Sequence, residues 1–186
     1  MKNVSRLGAV ALACACAIIP LTSLAQDNPM VGGHAMMANK DIISNAVLSE
    51  DNKTLVAAVK AADLVATLQG PGPFTVFAPT DEAFAALPAG MVDTVMKPEN
   101  KKMLAGVLAY HVVAGRLDYA ALQALITAGN GKAVLKTVNG ANLTAAMNGP
   151  RNITVTDDKG NVAHISTYDV YQSNGVIHII DRVLMP

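Results

Sequence analysis

The spacing of apolar residues changes near residue 131, and this change limits the fold class. Before it, apolar side chains recur every three to four residues, as on the buried face of a helix; Leu122, Leu125 and Ile126 are one such group. After Gly131 they alternate with polar residues in short runs, which turn-forming pairs such as Asn139-Gly140 separate. Helices followed by a strand-rich half predict a single α+β domain.

The same patterns predict individual elements. Five strands are predicted after the change, over residues 134–138, 143–147, 153–156, 162–168 and 176–180. An earlier strand, 74–78, follows Gly70-Pro71-Gly72-Pro73, which a helix cannot cross. Thr80 and the two acids after it predict a short helix that places Phe84 in the core. Further helices are predicted to begin near Asp41, Pro98 and Asp118.

The N-terminal segment is typical of export. Lys2 and Arg6 precede an uncharged apolar run over 7–24, which ends in the small-residue exit Ser23-Leu24-Ala25. This predicts a signal peptide over 1–25 that is cleaved, and a secreted or periplasmic protein. An uncleaved anchor is one alternative, and a lipid anchor on Cys14 or Cys16 is another. Residues 26–39 lack apolar periodicity and predict a flexible leader, so that the domain spans 40–186.

The charge of the mature chain is close to balanced. Removing Lys2 and Arg6 from the 14 basic side chains leaves 12, against 14 acidic ones, a net charge of about −2. Without clustered Lys or Arg, no nucleic-acid partner is expected, and after cleavage no stable membrane insertion is expected. Both cysteines lie in the segment that is removed, so the domain is expected to fold without disulfides.

The chain also lacks the patterns of common enzymes. It has no Gly-x-Ser-x-Gly elbow, no His-Glu-x-x-His pair and no cysteine nucleophile in the mature part. We therefore expect no catalytic residues, no cofactor and no enzyme activity.

Two groups of soft or imidazole ligands are weighed as metal sites. His164 and His178 fall on predicted strands with no third ligand at a suitable spacing, and both are expected to be core histidines. A cluster in the leader could hold copper weakly, and its members are Met30, His34, Met36 and Met37. No metal site is predicted, although a metal carrier is kept as an alternative.

Two stretches carry a family resemblance. Residues 75–84, TVFAPTDEAF, and residues 174–186, NGVIHIIDRVLMP, resemble the first and second signature boxes of the fasciclin domain. Between them, residues 108–115, LAYHVVAG, are similar to the family's central tyrosine–histidine segment. The resemblance runs from about Lys40 to Pro186 and is nearest to the small secreted bacterial members. Its signature positions in this chain are Phe77, Pro79, Thr80, Asp81, Phe84, Gly175, His178 and Asp181.

The resemblance implies a wedge-shaped α+β fold of about seven strands with a helical layer. It also implies adhesion-type binding to a protein or glycan on a cell surface, matrix or envelope, without catalysis. We expect the two boxes to form opposite walls of one hydrophobic wedge. The alternative function is a periplasmic carrier of a small apolar ligand or a metal.

Two residue pairs are candidate binding sites by the same resemblance. Tyr110 with His111, and Asp41 with Ile42, correspond to segments implicated in adhesion in some animal relatives. Each pair has a structural alternative. Tyr110 and His111 would fix a junction between a helix and a strand by hydrogen bonds, and Asp41 would begin a helix.

Overall fold

The computed structural model describes residues 28–186, and the predicted signal peptide lies outside them. The helices of this part are α1 (Ile42–Ala46), α2 (Lys53–Ala61), α3 (Val65–Leu68), α4 (Asp81–Ala85), α5 (Met91–Val95), α6 (Lys101–Tyr110) and α7 (Tyr119–Ala128). The strands are β1 (Met30–Val31), β2 (His34–Ala35), β3 (Phe74–Pro79), β4 (Val112–Ala114), β5 (Lys132–Lys136), β6 (Asn142–Met147), β7 (Ile153–Thr156), β8 (Val162–Gln172) and β9 (Gly175–Ile180). Within residues 28–186, no helix combines the length and apolar character needed to cross a bilayer.

The α+β fold class and the sheet of seven strands are confirmed. The strand order is β4-β3-β9-β8-β7-β6-β5. The two outer strands approach each other, because Val113 forms an isolated bridge with Thr137 and the Val138 N–H donates to the Val112 carbonyl at 2.8 Å. The sheet is therefore curved almost into a barrel.

The two signature boxes lie side by side rather than on opposite walls. β3 from the first box and β9 from the second are neighbouring parallel strands, with Ala78 beside Ile179. The expectation of opposite walls is therefore wrong. Both strands are central and buried on both faces, as parallel strands usually are, which explains their nearly continuous apolar runs.

The two faces of this central pair contact two different cores. Val76, Ala78 and Ile179 pack against helices α1, α2, α3 and α6. Phe77 and Ile180 point the other way, into the curved sheet, whose open side α7 covers with Leu122 and Ile126. Because alternate residues of a strand face opposite sides, one pair of strands joins both cores.

Part of the segment predicted as a flexible leader is packed against the domain. β1 and β2 form a hairpin in which Gly32 and Gly33 both have positive φ, the geometry of a tight two-residue turn. Val31 and Met36 are each only 6% exposed and belong to the core. The Asn28 side chain exchanges two hydrogen bonds with the backbone of Tyr171. Such two-residue strands are too short to show periodicity, which is why the sequence predicts a leader there.

Candidate functional site

Tyr110 and His111 lie where α6 ends and β4 begins. Their exposed fractions are 0% and 3%, so neither side chain presents a surface to a partner. The apolar residues beside them, Leu108, Val112 and Val113, are buried as well. The structure places this pair inside the domain, at the helix-to-strand junction that the structural alternative describes.

Hydrogen bonds fix the tautomer of His111. Its Nε2 lies 3.0 Å from the backbone nitrogen of Leu184, an N–H that can only donate. Nε2 must therefore accept, and Nδ1 carries the proton that it donates to the Val107 carbonyl at 2.8 Å. Complete burial disfavours the charged imidazolium and lowers the pKa of His111 to about 4. The ring is thus a neutral crosslink between α6 and the C-terminal segment.

The Tyr110 hydroxyl makes a second crosslink. It donates to the Asn142 carbonyl at 2.9 Å and accepts the Asp158 N–H at 3.0 Å. Burial raises the pKa of the phenol, since the phenolate would lose hydration. Tyr110 therefore ties α6 to β6 and to the turn between β7 and β8.

Asp41 and Ile42 begin a helix. The Asp41 carboxylate accepts the Ser44 N–H at 2.9 Å as the N-cap of α1. Ile42 is buried, and its N–H donates to the side-chain oxygen of Asn174 at 3.1 Å. This pair, too, supports the fold next to the second box, Ile42 from the core and Asp41 from a partly exposed position.

The first box is built around α4. Thr80 caps it by accepting the Ala83 N–H at 3.2 Å, and the Asp81 carboxylate accepts the Thr54 N–H at 2.8 Å. The Pro79 carbonyl accepts a hydrogen bond from the Asn52 side chain at 2.8 Å. Phe84, expected in the core, is only half-buried, because Ala83 occupies the fully buried position of this short helix.

The second box closes the sheet. Gly175 sits where a β-carbon would lie 2.2 Å from the Phe74 carbonyl oxygen, so only glycine lets β9 approach β3 this closely. His178 is fully buried and stacks on Phe77, with ring centroids 5.8 Å apart. Its Nε2 lies 2.7 Å from the Leu117 carbonyl oxygen, so His178 is a core histidine with a partner, as expected.

His164 differs from the expected core histidine. It is exposed on β8, and its Nδ1 lies 3.1 Å from the carboxylate of the signature residue Asp181. It points outward because it alternates with Ala163 and Ile165, which are the buried residues of that stretch. His164 and His178 therefore face different environments, one solvent and the other the core.

The described residues give little support for a metal site. Between residues 28 and 186, no three His, Cys, Asp or Glu side chains are grouped so that they could hold a metal ion. In the Met/His cluster of the leader, Met36 is buried and only Met30, His34 and Met37 remain exposed.

One surface of the sheet carries exposed side chains on β5, β6 and β8. Strand β5 alternates exposed and buried residues along its whole length, whereas β3 and β9 are buried on both faces. β6 and the first half of β8 show the same one-sided pattern. We call the outward side of β5, β6, β7 and β8 the outer face.

Strand register places valine, threonine and alanine side chains across the outer face, with Lys132 and His164 at the two ends of one row. One cross-strand row is Val134, Thr144, Thr156 and Val162. The next row is Lys132, Ala146, Thr154 and His164. Four strands at a spacing of about 4.8 Å make each row roughly 14 Å wide. The sequence analysis did not single out this surface, although the alternation around Val134 is its signal.

Comparison with known proteins gives relatives that match over most of the chain. The sequence model of the Fasciclin domain matches residues 50–186. Protein sll1483 of Synechocystis sp. is 45% identical over 145 residues, which cover 78% of this chain and 73% of that protein. The cell surface glycolipoprotein MPB83 of Mycobacterium bovis is 32% identical over 167 residues, which cover 87% of this chain and 68% of that protein. The transforming growth factor-beta-induced protein ig-h3 of Sus scrofa is 40% identical over 143 residues, which cover 75% of this chain and 19% of that protein.

Among solved structures, a FAS1 domain pair from the insect cell adhesion molecule Fasciclin I aligns with a TM-score of 0.49 and 23% identity. That alignment covers 76% of this chain and 43% of the other. The family match spans both signature boxes and every strand of the seven-stranded sheet. The chain therefore belongs to the Fasciclin domain family.

Proposed function

We propose that this protein is an exported, non-enzymatic adhesion module that binds a protein or glycan of a cell surface, matrix or envelope through its outer face. The family supports an adhesion-type domain, and MPB83, a relative over 87% of this chain, carries the name of a cell surface protein. The candidate binding residues Tyr110 and His111 and the signature residue His178 make their hydrogen bonds inside the fold. This leaves recognition to the surface.

The observation that carries this proposal is the composition of the outer face. Val134 is 69% exposed at one end of its row and Val162 is 37% exposed at the other. Between them lie Thr144 and Thr156, which offer hydroxyl groups in a row without bulky side chains. Apolar contacts flanking hydroxyl donors and acceptors suit a flat partner, either a protein strand or sugar rings.

Lys132 and Lys136 add positive charge at one edge of the outer face. Both are exposed on β5, on either side of Val134. Charges on the rim of an interface speed association more than they strengthen it, and their effect falls with salt. We therefore expect a partner with negative charge beside a neutral patch.

The test measures the retention of cells and envelope fragments on a surface coated with the purified protein. Val134→Glu is expected to reduce retention about tenfold or more, because it replaces the most exposed apolar contact of the row with a charge. Met103→Glu, the same kind of change at a 58% exposed residue of α6, is the matched control and should leave retention unchanged. Folded protein that retains no cell, glycan or envelope fraction would remove the proposal.

A second candidate function, carriage of a small apolar ligand, draws on one feature of the core. Three apolar cavities of about 40, 30 and 50 Å³ all have Leu108 in their lining. Each is far smaller than the roughly 300 Å³ of ordinary ligand pockets, so a ligand would have to displace side chains to enter. Native mass spectrometry of protein taken from the periplasm tests the carrier function, since a carrier would bring a bound molecule with it and protein without one would count against it.

A further inference from the structure

A groove of about 400 Å³ opens at the surface on the side of α4 and α5. One wall is formed by these helices and the link between them, with Leu87 and Met91. The facing wall is formed by the turn between β7 and β8, with Lys159. Arg182 and Met185 of the segment after β9 complete it. The volume is within the range of small-molecule sites, roughly 300 to 1,000 Å³.

The mouth of this groove carries two cations without protein partners. Within the described part of the chain, the side chains of Lys159 and Arg182 form neither an ion pair nor a hydrogen bond. The residues that line the groove include no carboxylate. Both cationic groups are thus free to bind an anion from solution.

Asp157, two residues before Lys159, is used to build the walls. Asp157 is buried, and its oxygens accept the Lys159 N–H at 3.0 Å and the Asn161 N–H and side-chain amide, each at 2.8 Å. They also accept the Met185 N–H at 3.1 Å. Asp157 therefore fixes the turn against the C-terminal segment, and its charge is taken up by four N–H donors.

The inner end of the groove is apolar and continues into the protein. The side chains that line both the groove and the inner cavity of about 30 Å³ are Leu87, Met91, Val183 and Met185. That cavity extends to Phe84, Met96 and Leu104. Helix α5, which separates the cavity from solvent, contributes no fully buried residue. Methionine side chains adapt their shape to a ligand, so this wall can widen at low cost.

We propose that the groove binds a single-chain fatty acid, with its carboxylate between Lys159 and Arg182 and its alkyl chain on the methionine-lined floor. Charge complementarity favours a ligand with an anionic head group, because Lys159 and Arg182 have no other partner in the described part of the chain. The apolar continuation under α5 selects the tail, because burying it removes alkyl surface from water. A small anion would leave the floor unused, and a neutral lipid would leave both cations unpaired. This site is separate from the outer face and does not depend on the adhesion proposal.

The experiment titrates the purified protein with dodecanoate, below its micelle concentration, and follows the methyl groups of the methionines by NMR. Met91, Met96 and Met185 are expected to shift together, whereas the exposed Met103 and Met37 stay in place. Acetate, which has the head alone, and dodecanol, which has the tail alone, should each bind at least about tenfold more weakly.

Variants then assign the head group. Lys159→Gln with Arg182→Gln should weaken dodecanoate binding about tenfold or more. The matched control, Lys132→Gln with Lys136→Gln, removes two charges from the outer face and should bind like the parent protein. The proposal is overturned if dodecanoate shifts no groove methionine, or if the groove variant binds it as tightly as the control. Binding to phosphatidylglycerol vesicles without uptake of dodecanoate overturns it as well, in favour of a membrane surface site.

Discussion

The imidazole Nε2 of His111 accepts the backbone N–H of Leu184 at 3.0 Å and so links the end of α6 to the C-terminal segment. His111 belongs to the central tyrosine–histidine segment and Leu184 to the second signature box. Leu184 is fully buried, so this bond forms away from water. These two segments are therefore linked inside the domain, and folding explains the presence of His111 and Leu184.

The first prediction concerns acid stability. Because the pKa of His111 is about 4 in the folded state and about 6.5 in the unfolded state, only the unfolded state binds this proton between those values. The free energy of unfolding is thus unaffected by this group above about pH 6.5 and falls as the pH decreases toward 4, by on the order of 3 kcal/mol. Burial also lowers the pKa of His178, which acts in the same direction.

Urea unfolding across this pH range measures the loss, and NMR titration of the ring protons assigns it. A His111 ring that titrates near its ordinary pKa would contradict the buried neutral crosslink.

The second prediction concerns the Tyr110 hydroxyl. Tyr110→Phe keeps the ring but leaves the Asn142 carbonyl and the Asp158 N–H without their partner. We expect a loss of about 1–3 kcal/mol in the free energy of unfolding, the usual cost of unpaired buried polar groups. Tyr119→Phe is the control, since that ring packs edge-on against Tyr168 and keeps this contact without its hydroxyl. Equal stability of the two variants would mean that the Tyr110 hydroxyl is not engaged.

Strong periodicity made most of the fold predictable. β7 has the predicted bounds, and β5, β6 and β9 differ from theirs by one or two residues. β8 extends to Gln172, beyond the predicted end at 168. Register shifts between Ile165 and Val170 interrupt the alternation of buried and exposed residues, so the sequence pattern does not predict the second half of this strand. The hairpin at Val31 and the three-residue β4 are too short to show any period.

The functional surfaces were harder to predict for a physical reason. Tyr110 and His111 stand out in sequence, but their role depends on burial, which one sequence does not give. The groove joins Met91, Lys159 and Arg182, which are far apart along the chain and meet only through the fold. The outer face could not be predicted without the strand register, because only the register shows that Val134 and Val162 lie in one row.

The third prediction tests whether the N-terminal hairpin is part of the domain. Met36 is 6% exposed and its neighbour Met37 is 50% exposed, so the two offer a matched pair of identical substitutions. Met36→Ala should lower the free energy of unfolding by about 2–5 kcal/mol, the usual loss for a buried methionine. Met37→Ala should stay within about 0.5 kcal/mol. Urea unfolding measures both changes. If the leader is detached from the domain, Met36→Ala and Met37→Ala should lower the free energy of unfolding by the same small amount.

The fourth prediction compares two phenylalanines of the first box. Phe77 is fully buried between the inner core and His178, and Phe77→Ala should cost about 3–5 kcal/mol. Phe84 is only half-buried, since it packs between the helical core and the small cluster around Val183, so Phe84→Ala should cost no more than about half as much. Thermal and urea unfolding of both variants provide the comparison. Equal losses in the free energy of unfolding would show that the Phe84 ring is as fully buried as that of Phe77, contrary to the structure.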